Sequence, residues 1–242
     1  STGTGTTYAK DTDKGSYWYS NDSGATWSLT TLSQSDTRIN HLDVAPNGDL
    51  YLNSYPRYDR GALFNMPNPA GGRVMRFASG GGSSFIDINS GLGHVSLSHI
   101  IESGSNLIAS ASYGNLWLST DSGSTWSVPA TAPQVGVYGI GGYGSTAYAM
   151  TSSGIYTSTD NGMTWAVANV ESGHFSEFAS DSNDRLYIYG EGGLKYSDDS
   201  GVNWTTITNC NGRPTYNENA LAVSSNGQNI YSNEKTFINI IK

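Results

Sequence analysis

The sequence predicts an all-β fold, a single β-propeller domain of four-stranded blades over residues 1–242, and three observations carry that expectation. An eight-residue segment ending in Trp recurs at a fixed interval. Short runs with apolar residues at alternate positions separate its copies. No segment shows sustained helical periodicity.

The recurring segment reads STDSGSTW from Ser119 to Trp126, SNDSGATW from Ser20 to Trp27, STDNGMTW from Ser158 to Trp165 and SDDSGVNW from Ser197 to Trp204. Asp121, Asp160 and Asp199 are spaced 39 and 39 residues apart, and a fixed period of this size marks a repeat architecture. A decayed copy, Ala78 to Phe85, places Gly80 at the Asp position, 41 residues before Asp121. From Asp22 to Gly80 the step is 58, so this unit holds about 18 extra residues, assigned to an insertion over 54–72.

Each segment has the composition of a tight turn. The Asp side chain accepts hydrogen bonds from the backbone that folds over it, Gly supplies a positive φ, and Ser and Thr add local side-chain bonds. Alternating apolar residues precede it, as in Leu116 and Leu118 or Tyr17 and Tyr19, and the Trp opens the following strand. Two further strands come before, as in Ser98 to Glu102 and Asn106 to Ser110, followed by Asn115 to Ser119 and Thr125 to Val128. Four short antiparallel strands per period describe a propeller blade.

The pattern S-x-D-x-G-x-T-W resembles the Asp-box, or BNR repeat, and the resemblance covers nearly the whole chain. Families built on it include sialidases, sortilin-like receptor domains, xyloglucan-cleaving glucanases, a photosystem assembly factor and several propeller lectins. It implies the propeller fold and leaves activity open, because enzymes, receptors and lectins share it. It also implies that Asp22, Asp121, Asp160 and Asp199, with Trp27, Trp126, Trp165 and Trp204, are structural.

With the insertion set aside, the chain spans between five and six periods. Six blade positions are favoured, with five the runner-up: the N-terminus enters at a second strand (Thr6 to Lys10), and Ala220 to Ser224, Asn229 to Ser232 and Phe237 to Lys242 supply three strands of another unit. The ring is then expected to close through the N- and C-terminal strands.

Lys and Arg number 12 against 20 Asp and Glu, a net charge of −8, which argues against non-specific nucleic-acid binding. No apolar run is long enough to span a membrane as a helix. The chain opens on Ser1 without Met or signal sequence, as expected of a processed or trimmed form, and low Lys content points to a secreted or cell-surface protein. Cys210 is the one cysteine, which excludes an intrachain disulfide and a Cys-based zinc site. No cofactor is indicated, and a bound divalent metal stays open.

In an up-and-down blade the entry to the first strand and the turn between the second and third share one face, while the Asp-box turn occupies the other. A ligand site is therefore expected on the face without the boxes. His41, His94, His99 and His174 all fall in or just before first strands, where other units contribute Tyr138 and Glu177. Such groups transfer protons, bind metal or hydrogen-bond sugar hydroxyls, although inner strands beside a wet channel also carry polar residues without a task. The insertion brings Tyr55, Arg57, Tyr58, Asp59 and Arg60 to the same face, with Arg38, Arg73 and Arg76 nearby in sequence. Five of the seven arginines lie between positions 38 and 76, which suits a local anion site or pairing with local Asp residues. A second column, four residues before each box Asp, reads Trp18, Arg76, Trp117, Tyr156 and Lys195, suited to stacking on sugar rings or to packing between blades.

Three function classes follow. The first is a lectin-like propeller that recognises a glycan, acidic glycans included, through the first-strand face and the 54–72 insertion. The second is a polysaccharide-active enzyme, a uronate lyase or glycosidase, with His41, His99, Tyr138 and Glu177 as catalytic candidates. The sialidase pattern places Arg-Ile-Pro ahead of the first box, whereas Arg38-Ile39-Asn40 follows it and lacks the Pro. The xyloglucanase reading requires paired Asp acids between two large propellers. The third is an assembly protein that self-associates through the C-terminal strand, TFINIIK from Thr236 to Lys242.

Overall fold

The computed structural model describes residues 7–11, 15–22, 25–32, 37–44, 48–56, 73–78, 84–88, 90, 92, 97–111, 114–143, 145–169, 174–181, 183, 185–190, 193–207, 221–223, 229–232 and 236–238. The regular structure among them is all β. The chain forms two compact units: Ser1–Ser112 with Trp117–Val128, and Tyr113–Leu116 with Pro129–Lys242.

The described strands form six antiparallel sheets, each a meander of strands consecutive in sequence. Sheet 1 holds β1 (Thr7–Asp11), β2 (Ser16–Ser20) and β3 (Ser28–Thr31). Sheet 2 holds β4 (Thr37–Val44), β5 (Leu50–Pro56), β6 (Arg73–Phe77) and β7 (Ile86–Asp87). Sheet 3 holds β8 (Leu97–Ser103), β9 (Asn106–Ala111) and β10 (Leu116–Ser119). The strand expected over Thr125 to Val128 is reduced to one bridge between Leu118 and Ser127. Sheet 4 holds β11 (Val137–Tyr143), β12 (Thr146–Thr151), β13 (Gly154–Ser158) and β14 (Ala166–Asn169). Sheet 5 holds β15 (Phe175–Ser180), β16 (Leu186–Gly190), β17 (Gly193–Ser197) and β18 (Thr205–Thr206). Sheet 6 holds β19 (Leu221–Val223), β20 (Asn229–Ser232) and β21 (Thr236–Ile238). Four-stranded meanders of this kind are consistent with propeller blades.

Alternation along the strands builds a separate core between each pair of packed sheets. In the first unit Leu50, Leu52, Met75 and Phe77 of sheet 2 meet Tyr17 of sheet 1. The intervening residues Tyr51 and Val74 meet Leu97, Ile100, Leu107 and Ala109 of sheet 3. In the second unit Tyr148, Met150 and Ile155 of sheet 4 pack on Phe175, Leu186 and Ile188 of sheet 5. Tyr187, Tyr189 and Leu194 of sheet 5 pack on Ile230 of sheet 6. Period-two patterning thus gives sheets 2 and 5 two buried faces each.

The Asp-box turns link the third and fourth strands through local side-chain hydrogen bonds. Ser119 Oγ donates to Asp121 Oδ1 (2.8 Å), Thr125 N donates to the same oxygen (2.8 Å), and Thr125 Oγ1 donates to Oδ2 (2.6 Å). Ser119 Oγ in turn accepts from Gly123 N (2.8 Å). The pattern repeats around Asp160, and around Asp199, where Asn203 Nδ2 takes the place of the Thr hydroxyl (2.7 Å). Ser124 N donates to Asp121 O (3.2 Å) across Ser122 and Gly123, whose φ angles are 57° and 89°. Positive φ at both central residues is the type I′ geometry that matches strand twist. The sequence pattern anticipates only the glycine; Ser122, Asn161 and Ser200 adopt the second left-handed position at φ of 57–58°.

These hydrogen bonds, led by those from Thr26, lower the Asp22 pKa to about 2, and equivalent bonds lower Asp121, Asp160 and Asp199. Both oxygens of Asp121, Asp160 and Asp199 accept bonds from their own turns, Oδ1 two and Oδ2 one, so these carboxylates clamp the turn backbone.

Candidate functional site

The four sheets whose first strands are most complete share one irregularity. Register shifts fall between Ile39 and His41, Leu97 and His99, Val137 and Gly139, and Phe175 and Glu177. Each shift leaves one extra residue, respectively Asn40, Ser98, Tyr138 and Ser176, unpaired in its strand. The residue before each bulge, Ile39, Leu97, Val137 or Phe175, is at most 3% exposed, so an apolar anchor fixes the position at which alternation breaks. Bulges bend a strand and re-aim side chains, which is why they recur beside functional sites.

The bulges sit at the ends of the sheets remote from the Asp-boxes. In sheet 4, Ser158 at the box pairs with Ala147, which pairs with Gly142; the residue after the bulge, Gly139, pairs with Met150, which pairs with Ile155. Within a sheet the box and the bulge therefore mark opposite ends.

In the first unit the residues immediately after the bulges are His41, opposite Asn53, and His99, opposite Ser110. These two histidines share one register. Ser98 Oγ donates to Ser110 O (3.2 Å), tying the bulge to β9. Asn53 is fully buried, and neither its amide oxygen nor its amide nitrogen has a hydrogen-bond partner. Arg38 lies opposite Tyr55 across β4 and β5. His94, Arg57, Tyr58, Asp59, Arg60 and Cys210 lie outside the described residues.

In the second unit the corresponding position after the bulge belongs to Glu177, opposite Tyr189, and Glu177 is half-buried. His174 is thus displaced from the register of His41 and His99 by three residues. It lies one residue ahead of β15, is exposed, and stacks on the bulge residue Tyr138 with ring centroids 4.5 Å apart and planes at 25°. Glycines permit this approach. A Cβ on Gly141 would stand 2.0 Å from the ring of Phe178, and one on Gly190 would stand 2.0 Å from the carbonyl oxygen of His174. The Gly-rich run of β11 is the sequence signal for the close packing of β11 on β15. Phe175 holds the other flank, with Lys195 Nζ 5.8 Å from its ring centroid.

The aromatic column before the boxes is only partly a column. Thr157 lies opposite Ala166 and Tyr196 opposite Thr205, each partner being the residue after the box Trp; in sheet 2 the residue after Phe85, Ile86, lies opposite Arg76. Arg76 therefore matches Thr157 rather than Tyr156, one more residue separating the paired positions in sheet 2 than in sheet 4. Arg76 is instead committed to Asp49, whose Oδ2 accepts from its Nε at 2.7 Å. Trp117 packs on the core between sheets 2 and 3, while Trp18 stays 39% exposed.

Among the described residues no group of three His, Cys, Asp or Glu side chains is placed to hold a metal ion, and no helix is long and apolar enough to cross a membrane. What the bulged ends offer is a stacked aromatic pair in one unit, with Glu177 on the sheet face that Tyr189 occupies, and paired histidine positions in the other. Aromatic rings stack on the C–H faces of sugars, while carboxylates and imidazoles accept hydrogen bonds from their hydroxyls.

No protein-family profile and no curated protein sequence matches the chain. Solved structures do. A GH74 enzyme from Niastella koreensis superposes with a TM-score of 0.65 at 18% identity, over 95% of this chain and 39% of that one. The GH74 xyloglucanase from Xanthomonas campestris gives 0.63 at 19% identity, over 93% and 40%. YCF48 bound to a D1 peptide gives 0.54 at 18% identity, over 90% and 67%. The chain thus spans about two fifths of the length of the two glycosidases. At these identities the likeness is one of fold: the chain shares the β-propeller architecture of the GH74 enzymes and YCF48, with Asp-box-type repeats.

Proposed function

We propose that this chain is a carbohydrate-binding propeller, secreted or displayed at the cell surface, that recognises a glycan at the bulged ends of its first strands. Each of the six sheets is a blade in this reading. One observation carries it: Tyr138, set out of register by a bulge, and the exposed His174 form a stacked two-ring surface. Rings held parallel by packing bind a pyranose at low entropic cost, because neither has to be ordered by the ligand. The xyloglucanase among the similar structures supports the choice of a polysaccharide, and the peptide-bound YCF48 supplies the competing ligand class.

The test is titration calorimetry against neutral xyloglucan oligosaccharides, uronate and sialylated oligosaccharides, and a peptide panel. Binding of a glycan with millimolar or better affinity, lost in His174→Ala and Tyr138→Ala, is the expected result. Binding of peptides alone, or of nothing in the three panels, removes the proposal. Release of reducing ends or of an ultraviolet-absorbing unsaturated uronate replaces binding with catalysis on the same face.

A further inference from the structure

Sheets 2 and 3, both within the first unit, enclose charge as well as hydrocarbon. The registers Asp43 to Tyr51 and Tyr51 to Arg76 place one residue from each of β4, β5 and β6 in a row on one face of sheet 2. That face is the one buried against Leu97, Ile100 and Leu107 of sheet 3, because Tyr51 and Val74 belong to the shared core. Asp49, two residues before Tyr51, is 7% exposed and paired with Arg76. From sheet 3, Glu102 reaches the same layer, two residues beyond Ile100, and its buried Oε2 has no hydrogen-bond partner.

The layer also holds polar groups that the chain leaves unpaired. Asn53, fully buried two residues beyond Tyr51 on β5, has no partner for either amide atom, and Trp117 Nε1 has none either. Arg76, the cation described in this layer, is bonded to Asp49. Asp43 and Glu102 are thus held in an inter-sheet layer in which the described guanidinium is already bonded to a third carboxylate.

We propose that this layer is a proton-operated joint, in which protons held on Asp43 and Glu102 keep sheets 2 and 3 packed and their loss at rising pH loosens them. Desolvation pushes the Asp43 carboxyl up to about 7, opposed by the Val44 N–H that donates to its Oδ1 at 2.8 Å. Desolvation raises Glu102 as well, the Asp49 charge adds to the shift, and Arg76 counters it. A carboxyl with a raised folded-state pKa binds its proton more tightly in the folded than in the unfolded chain. Stability is then full below the ordinary carboxylate value of 3.8 and falls as pH rises toward 7. The titratable and charged groups that β5, β6 and β8 add around Asp43 are Asp49, Tyr51, Arg76 and Glu102. His41, two residues before Asp43, and His99, whose register with Ser110 turns it from this face, are the neighbouring imidazoles and need separate controls.

The experiment follows thermal unfolding between pH 4 and 8, together with the 19F NMR signal of Trp117 in 5-fluorotryptophan-labelled protein. The midpoint is expected to fall across the window in the native sequence, with the Trp117 signal moving in parallel. Asp43→Asn is expected to remove most of the fall and raise the midpoint at pH 8, and Glu102→Gln to remove part of it. A profile kept in Asp43→Asn, or lost instead in His41→Gln or His99→Gln, overturns the proposal. Should Asp43→Asn not fold, hydrogen exchange of the native protein decides: faster opening at pH 8 confined to β4 and β8 supports the joint, and a uniform change or none overturns it.

Discussion

Gly123 and Ile88 meet with no room for a side chain between them: a Cβ on Gly123 would stand 2.7 Å from Cβ of Ile88, and the Gly123 φ is +89°. The box glycine is therefore fixed twice, by the turn it makes and by the residue just beyond β7 that the turn covers. Gly193, at φ +85°, has nothing within 4 Å of the equivalent position.

The two glycines separate conformational cost from steric cost. Gly193→Ala is expected to cost about 1–2 kcal/mol, the penalty of a left-handed non-glycine residue. Gly123→Ala adds overpacking against Ile88, typically about 1–3 kcal/mol, and should cost roughly 2–5 kcal/mol in total. Denaturant midpoints at equal m-values test the ordering; equal losses would mean that Ile88 moves aside freely.

Trp126 and Trp204 occupy the same box position with different partners. Trp126 is 6% exposed, and its Nε1 donates to Ile88 O at 2.8 Å, reaching from sheet 3 to sheet 2; the Trp204 Nε1 donates within its own turn to Gly201 O at 3.0 Å. Trp126→Phe leaves a buried carbonyl unpaired and is expected to cost about 1–3 kcal/mol beyond the lost area. Trp204→Phe, at a half-buried site, should cost less. Urea unfolding of both variants gives the comparison.

The box carboxylates predict an acid limb. Their folded-state pKa values are lowered, to about 2 at Asp22, so their contribution is present above the ordinary carboxylate value of 3.8 and is lost as pH falls through the lowered values. This runs opposite to the Asp43 effect, in which stability falls as pH rises toward 7. Replacing Asp121 or Asp160 with Asn is expected to lower the midpoint at pH 5 and to flatten the acid limb, as followed by circular dichroism from pH 5 to 2. A parallel downward shift at every pH would assign the loss to packing rather than charge.

The parts of the fold visible in the sequence are those with a local cause. The Asp-box is a hydrogen-bonded turn whose donors and acceptor lie within eight residues, so its period locates the third and fourth strands of each intact unit. Where the box Asp is replaced, at position 80, the local hydrogen-bond acceptor is missing, and Arg76 is displaced by one register position. The bulges are invisible for a related reason. An extra residue in β4 or β11 is defined by its pairing with β5 or β12, and neither Asn40 nor Tyr138 carries a local mark of it. His174 illustrates the consequence: a histidine at the mouth of a first strand reads like His41 and His99, yet the bulge gives that register to Glu177. Asp43 and Glu102 are likewise ordinary acids in sequence, and only the packing of sheet 2 on sheet 3 makes them exceptional.

The candidate site separates binding from scaffolding through Tyr138 and Gly190. Tyr138 is half-buried and its stacking partner is exposed, so Tyr138→Ala is expected to cost no more than about 0.5–1.5 kcal/mol in ring contact while removing the two-ring surface. Gly190→Ala touches no ligand. Its Cβ would meet the His174 carbonyl at 2.0 Å, which no side-chain rotation relieves, so the backbone ahead of β15 must shift and carry the His174 ring off Tyr138. Both variants are expected to weaken glycan affinity at least tenfold, Tyr138→Ala with near-native stability and Gly190→Ala with a loss of about 1–3 kcal/mol. Calorimetric titration paired with urea unfolding distinguishes them. If Gly190→Ala loses stability and keeps full affinity, the stack between Tyr138 and His174 is packing, and recognition belongs elsewhere on the bulged ends.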